Sequence, residues 1–367
     1  MSWIRFGAGA GAAFVLVVAA FSYWALSPSP PLDARYTADA CRRVAPEIRG
    51  VEDLDLLPDG RVLLSAHDRR AHIHGGATRL PDGALYALDR ATLSVTELWP
   101  RDMPQEGGFH PHGVAVFGNR VAVINRRWRD GGPPAGGTRI ALFRIAENRL
   151  ERAGTLSDPG LCRANDLAPV GDGLLVSLDG GGCVSSIGET LLGGGGAVVE
   201  IAAEAIDQGR LDTPLLRKFP VDLNFANGVL SRADGVWTAE TRGGGLRSSQ
   251  GARIATPGGP DNLTRDGAAM VLALHPNLLR LALHRRGWGP SAPSRIVRIT
   301  PPSERDGSTG EAGVEILFDD PTGRIFAGAT VGLALRDDPA GGEALLIAGA
   351  HERGLLLCGG AHQEGGS

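Results

Sequence analysis

Five short stretches each set a polar pair directly before an apolar run. They are Glu52-Asp53, His112-Gly113, Asn165-Asp166, Asn227-Gly228 and Asp261-Asn262. Neighbouring side chains of a strand point to opposite faces, so one of the adjacent acids Glu52 and Asp53 has to look inward. Asp, Glu and Asn oxygens are hard ligands. A set with no thiolate and little imidazole suits Ca²⁺, which takes six to eight oxygens at ~2.3–2.6 Å. Glu52, Asn165 and Asn227, with Asp261 and Asn262, are the residues for one ion. Asp53 and Asp166, pointing the other way along their strands, are the residues for a second. Any one of these residues taken alone is equally well read as a turn cap. Five in register across a repeat favour the ligand reading.

The elements that must position them form a repeat. After each polar pair come an apolar run, a Gly-containing turn and a second apolar run: "EDLDLLPDGRVLLSA" (52–66), "HGVAVFGNRVAVIN" (112–125), "NDLAPVGDGLLVSLD" (165–179), "NGVLSRADGVWTAE" (227–240) and "DNLTRDGAAMVLAL" (261–274). A looser sixth copy is "TVGLALRDDPAGGEALLIAGA" (330–350). Each reads as a β-hairpin with Asp-Gly or Gly-Asn turn chemistry. The starts lie 34 to 69 residues apart, a spacing long enough for one four-stranded propeller blade per repeat. The expected fold is therefore an all-β six-bladed propeller, in which equivalent positions of every blade face one central tunnel. Only "GAVVEIAAEAIDQG" and "NLLRLALHRRG" read as helical. Glycine, 54 of 367 residues, is about twice its usual ~7% and sits mostly between the apolar runs.

The N-terminus is made of different material. Residues 7–26 carry no charge. As a helix they span roughly 30 Å, the thickness of a bilayer core. The stretch is longer than the apolar part of a signal peptide, and "WALSPSP" is a poor cleavage site. The expected organisation is a transmembrane anchor and linker over 1–32, followed by one propeller domain over 33–367. Arg5 before the segment and Arg35, Arg42 and Arg43 after it do not orient it. With 37 basic and 41 acidic residues and a net charge of −4, the chain shows no footprint of nucleic-acid binding. The four cysteines lack the Cys-x-x-Cys spacing of a zinc site. They are read either as bridges, which would place the soluble part outside the cytoplasm, or as buried free thiols.

In their order and spacing, "EDLDLLPDG", "HPHGVAVF", "NDLAPVG", "FANGV", "DNL", "ALHPN", "GATVG" and the terminal cysteines resemble the serum paraoxonase/arylesterase family of calcium-dependent lactonase propellers over nearly the whole chain. The resemblance implies two calcium ions in the tunnel. A catalytic ion would be held by Glu52, Asn165, Asn227, Asp261 and Asn262. A structural ion would be held by Asp53, Asp166 and a backbone carbonyl near Val114. It implies a Cys41–Cys358 disulfide, leaving Cys162 and Cys183 as extra. The family's tunnel-mouth histidine matches His112 and its "ALHPN" histidine matches His275. Its second, supporting histidine is replaced here by Arg126, beside Asn125, so a His–His dyad cannot operate.

The expected function is a membrane-anchored, extracytoplasmic calcium-dependent hydrolase of lactones and aryl esters. Its partners would be a small ester or lactone and the membrane, with no nucleic acid. His112, which titrates near neutrality when unperturbed, is the candidate base, and Asp261 is the second. No Gly-x-Ser-x-Gly elbow points to a serine esterase. Two alternatives stand beside this reading: a strictosidine-synthase-like propeller enzyme that does not need the oxygen cluster, and a non-catalytic calcium-stabilised interaction module. Neither the physiological substrate nor the oligomeric state is encoded legibly.

Overall fold

In the computed structural model the hairpins become the two inner strands of six blades. The structure describes residues 22 and 26 and, from 27 to 359, all but 72–80, 100–107, 127–136, 184–193, 213–214, 220–221, 303–310 and 337–341. The transmembrane helix expected over 7–26 lies, apart from residues 22 and 26, outside the described residues. Among those described, no helix is long and apolar enough to cross a membrane.

Six four-stranded antiparallel sheets follow one another along the chain. The innermost strands of blades 1 to 6 are Val51–Leu56, Pro111–Phe117, Ala164–Val170, Ala226–Arg232, Gly259–Asp266 and Val331–Leu335. In five blades the next three strands follow in order outward. Blade 6 is different: its outermost strand is Cys41–Arg49, from the start of the propeller, paired with the last strand, Arg353–Gly359. Cys41 lies opposite Cys358 in that pairing, and the two are joined as a disulfide. Cross-linking residues 317 apart is worth on the order of 5 kcal/mol in the chain-entropy account. Cys162 and Cys183 form a second disulfide. Two disulfides suit an oxidising, extracytoplasmic compartment.

Blades fit together through apolar faces. Six clusters of buried side chains lie one between each adjacent pair of blades among the described residues. The cluster joining blades 6 and 1, for example, packs Leu333 and Leu346 against Leu54 and Leu64. Burial of this kind is the main force closing the ring.

The polar pairs sit where the ladder slips. In each of blades 1 to 5 the pairing of the two inner strands shifts register at the pair. In blade 3, Asn165 and Asp166 together occupy the space opposite Ser177, between the Ala164↔Leu178 and Leu167↔Val176 partners. Blade 6 has no such shift. A bulge inserts an extra residue and re-aims its side chain. This corrects the simple alternation expected for Glu52 and Asp53.

One helical expectation needs correction. "GAVVEIAAEAIDQG" divides into the strand Ala197–Ile201 and a short helix, α1 (Ala203–Gln208). Val198 and Val199 pair with Ser177 and Val176 of the neighbouring strand, and β-branched side chains fit a pleated surface better than a helix. The second stretch is a helix, α2 (Leu278–Arg285), started by Asn277, whose side chain accepts from the Arg280 N–H at 3.0 Å.

Candidate metal centre and its mouth

Three buried asparagines share one asymmetry. Asn165 donates its amide nitrogen to Asp179 at 3.2 Å, Asn227 to the Thr241 hydroxyl at 3.2 Å, and Asn262 to the Glu52 carbonyl at 3.2 Å. Partner chemistry fixes these orientations. A carboxylate and a carbonyl only accept, and Thr241 spends its own proton on the Pro260 carbonyl at 2.6 Å. The amide oxygens of Asn165, Asn227 and Asn262 are thereby left without a hydrogen-bond partner, although all are buried. Glu52 Oε2 also lacks one, and its neighbour is His112 Nδ1 at 3.2 Å. Buried polar atoms are normally satisfied. Unpartnered, hard, acceptor-only oxygens are the donor set of an alkaline-earth cation, so Glu52, Asn165, Asn227 and Asn262 fit the ion that the sequence suggested. Among the described residues no trio of His, Cys, Asp or Glu could hold a metal, so the donor set is amide-rich rather than suited to a transition metal.

Asp261 lines the same cavity. Its carboxylate lies 2.6 Å from His275 Nε2, which fixes its orientation, and 3.9 Å from Arg285.

The second candidate set behaves otherwise. Asp53 accepts from its own strand at Leu54 and from the next blade at Val114, both at 2.8 Å. Asp166 repeats the pattern with Leu167 at 2.7 Å and Val229, in blade 4, at 2.8 Å. Asp55 does so again with Leu56 and Val116. These carboxylates clasp neighbouring blades. Each oxygen keeps a further lone pair, so a cation between Asp53 and Asp166 is compatible with the clasps. Burial, then the mutual charge of Asp166 and Glu52, raises the Asp53 carboxyl well above its ordinary range. Gly113 and Gly228 leave room for this close approach. A Cβ at Gly113 would lie 2.7 Å from Asp166 Cα, and one at Gly228 2.7 Å from the Asp261 carbonyl.

His112 stands above Glu52. Its Nδ1 faces two neighbours, Arg69 at 3.1 Å and Glu52 at 3.2 Å. A protonated Nδ1 donates to Glu52 and then cannot accept from the Arg69 guanidinium, which only donates; in that tautomer Nε2, which has no partner, keeps its lone pair. Burial first, then the Arg126 charge, lowers its imidazole to about 4 against the pull of Glu52. Arg126 is therefore a secondary cause, after burial. Arg126 itself is tied by Asp179 at 2.9 Å and by the Ala164 carbonyl at 2.9 Å. It shares Asp179 with Arg163 and with the Asn165 amide. Asn125 is structural: it accepts from His110 N and donates to the Gly108 carbonyl.

Above the oxygens opens a cavity of about 500 Å³. Sequence reasoning missed His67, Arg69, His110, Phe225, Arg285 and His351 in its wall. A signal existed. Several mouth residues follow the second strand of a repeat at once: His67 after Ala66, Arg126 after Asn125, Asp179 after Leu178, Thr241 after Glu240.

No known protein family's profile matches the chain, and no curated protein matches it. Solved structures do. A carbohydrate-active enzyme of family AA12 from Trichoderma reesei, in its calcium structure, aligns with a TM-score of 0.51 at 10% identity, covering 90% of this chain and 99% of that one. The iodide structure of the same enzyme gives 0.51 at 11% identity over 91% and 100%. A PQQ-bound aldose sugar dehydrogenase from Streptomyces coelicolor gives 0.50 at 15% identity over 90% and 99%. At such identities the likeness shows the shared propeller fold alone. The paraoxonase resemblance rests on the motifs, since none of these matches shows that family.

Proposed function

We propose that this propeller is a calcium-dependent hydrolase of lactones and aryl esters. The observation that carries the reading is the set of unpartnered buried amide oxygens of Asn165, Asn227 and Asn262 beside the Glu52 carboxylate, with Glu52, Asn165 and Asn227 lining a cavity that His112 also lines. Those residues and Asp261 would hold the catalytic ion. Asp53, Asp166 and the Val114 backbone would hold the structural one. When bound, calcium supplies Lewis-acid polarisation of the carbonyl and stabilises the charge developing on its oxygen.

The chain's own groups supply the rest. Burial pushes the Glu52 carboxyl up, but His112, Arg69 and Arg126 outweigh it and keep it ionised. Glu52 therefore serves as a charged ligand and as acceptor for His112 Nδ1–H. His112 Nε2 then takes a proton from water as the water oxygen bonds to the carbonyl carbon. The ring or ester C–O bond breaks, and the proton passes to the leaving oxygen. The products are a hydroxyl compound and a carboxylic acid, which releases its remaining proton to solvent and leaves as the carboxylate. A base lowered to about 4 is unprotonated at neutral pH but weak, which assigns it the smaller share of the rate enhancement. Asp261, oriented by His275, is the second candidate base. We assign residues 7–26 the role of membrane anchor.

The test is hydrolysis of phenyl acetate and γ-butyrolactone with and without calcium, with melting followed in parallel. Calcium-dependent turnover and a lower melting temperature in EDTA are expected. Turnover indifferent to chelation would sink the mechanism. Calcium-dependent melting without turnover on any ester or lactone would favour the non-catalytic module.

A further inference from the structure

The cavity mouth carries more positive charge than the described structure balances. Four guanidiniums line it: Arg69, Arg126, Arg285 and Arg286. The lining carboxylates are Glu52 and Asp261, and both belong to the candidate ion site. Arg126 has Asp179, but shares it with Arg163. Arg69 donates to the Gly50 carbonyl at 3.1 Å and the Pro111 carbonyl at 3.0 Å, and forms no salt bridge among the described residues. Arg285 comes no closer than 3.9 Å to Asp261, which is already committed to His275. Arg286 donates to the Ala282 carbonyl at 3.2 Å and lies over the Trp288 ring. A divalent cation on Glu52 and Asp261 would neutralise those two charges and leave the arginines still less compensated.

The lining also includes the apolar residues Phe225, Ala282 and Ala350. Phe225 lines the cavity with a left-handed backbone, φ 67°, a conformation costly for an aromatic residue. It is held there by the Thr241 N–H on its carbonyl at 3.1 Å.

We propose that the substrate carries a fixed negative charge, a carboxylate beside an apolar ring, and that Arg69, Arg285 and Arg286 recognise it. What is cleaved rests on the hydrolase reading; the anion site does not. Guanidinium forks bind carboxylates through paired charge-assisted hydrogen bonds, and the low-dielectric cavity strengthens them.

The experiment has two arms, both on the whole protein with Arg285→Gln/Arg286→Gln as the variant, since these side chains are exposed. In the first, the unreactive probes tetrahydrofuran-2-carboxylate and tetrahydrofuran are titrated calorimetrically into calcium-loaded and metal-free protein. The carboxylate should bind in both states, at least about tenfold tighter than the neutral ether, and the variant should lose that margin. Equal binding of the two probes overturns the proposal. So does carboxylate binding that requires calcium and ignores the substitutions, because the ion rather than the rim would then hold the anion. In the second arm, kcat/KM is compared for γ-carboxy-γ-butyrolactone and γ-butyrolactone. The charged-to-neutral ratio should exceed about ten and fall by roughly that factor in the variant, mainly through KM. If neither lactone is cleaved the hydrolase reading fails, while the titration still decides the anion site.

Discussion

The tunnel holds two layers of oxygen-bearing side chains, and they are employed differently. In the upper layer, Glu52, Asn165, Asn227 and Asn262 have their nitrogens or backbone tied down and oxygens left open. In the lower layer, every carboxylate oxygen of Asp53 and Asp166 already accepts a backbone N–H, one from its own strand and one from the next blade. In blades 1 and 3 the two layers come from the same bulge, one residue apart. The lesson is that one bulge can deliver a ligand and a fastener in consecutive positions. The lower layer is needed for the ring to hold its shape, and the upper layer is free to bind.

That division can be broken most forcefully by crossing two substitutions. Glu52→Ala is expected to abolish calcium binding and lactone turnover, a loss of at least ~10³-fold, while metal-free protein melts as before. Asp53→Ala strips the Val114 and Leu54 N–H groups of their acceptor. It is expected to cost on the order of 1–3 kcal/mol for each group left unsatisfied. Calorimetric calcium titration and denaturant unfolding of both variants decide the matter. Were Glu52→Ala to unfold and Asp53→Ala merely to lose an ion, the roles of the layers would be exchanged. Next in size is His112→Gln, expected to lower kcat by ~10²-fold, at the weak end of general-base contributions, with calcium affinity nearly kept. Full loss of calcium binding in that variant would show His112 to be part of the ligand shell rather than the base.

Smaller effects sharpen the picture. Thr241→Val removes the acceptor that turns Asn227 toward the tunnel. Losing such a supporting contact is expected to weaken calcium binding ~10- to 100-fold, without unfolding the chain. Unchanged affinity would mean that Asn227 is held by packing alone. The smallest effect concerns acid. His284, on α2 above the mouth, is lowered to about 4 by burial and then by Arg70, Arg285 and Arg280. A histidine with a depressed folded pKa favours the native state fully above its unfolded value near 6.5. That contribution is lost as pH falls toward 4. His284→Asn should flatten the melting temperature between pH 6.5 and 4. An unaltered acid limb would place the acid-sensitive group elsewhere.

Much of this could be read from the sequence because hairpins announce themselves locally. The runs 52–66 and 165–179 carry their own turn chemistry, so blade count and inner strands followed. The polar pairs were visible as a repeated violation of apolar patterning. Geometry within the pairs was less legible, because alternation predicts opposite faces and a bulge overrides it. Mouth residues such as Arg69, Phe225 and Arg285 come from three different connections and share only a position in space. No local pattern marks Phe225, whose positive φ is set by the Thr241 contact sixteen residues on. The Cys162–Cys183 bridge was equally hidden, since spacing alone does not determine connectivity.

Blade 6 has a consequence for the timing of biogenesis. Its outer strand, Cys41–Arg49, is synthesised first and its three partners last, so the ring cannot close until the ribosome has delivered Arg353–Gly359. The cluster joining blade 6 to blade 1 draws on Leu355 and Leu357 of that last strand as well as on Leu333 and Leu346, and Asn262 and Thr330 meet the Glu52 backbone across the same closure. A nascent chain stalled before residue 353 should carry five complete blades and an open ring. On the proposed calcium reading, uptake of the ion would report a closed ring, which the Cys41–Cys358 disulfide then fastens.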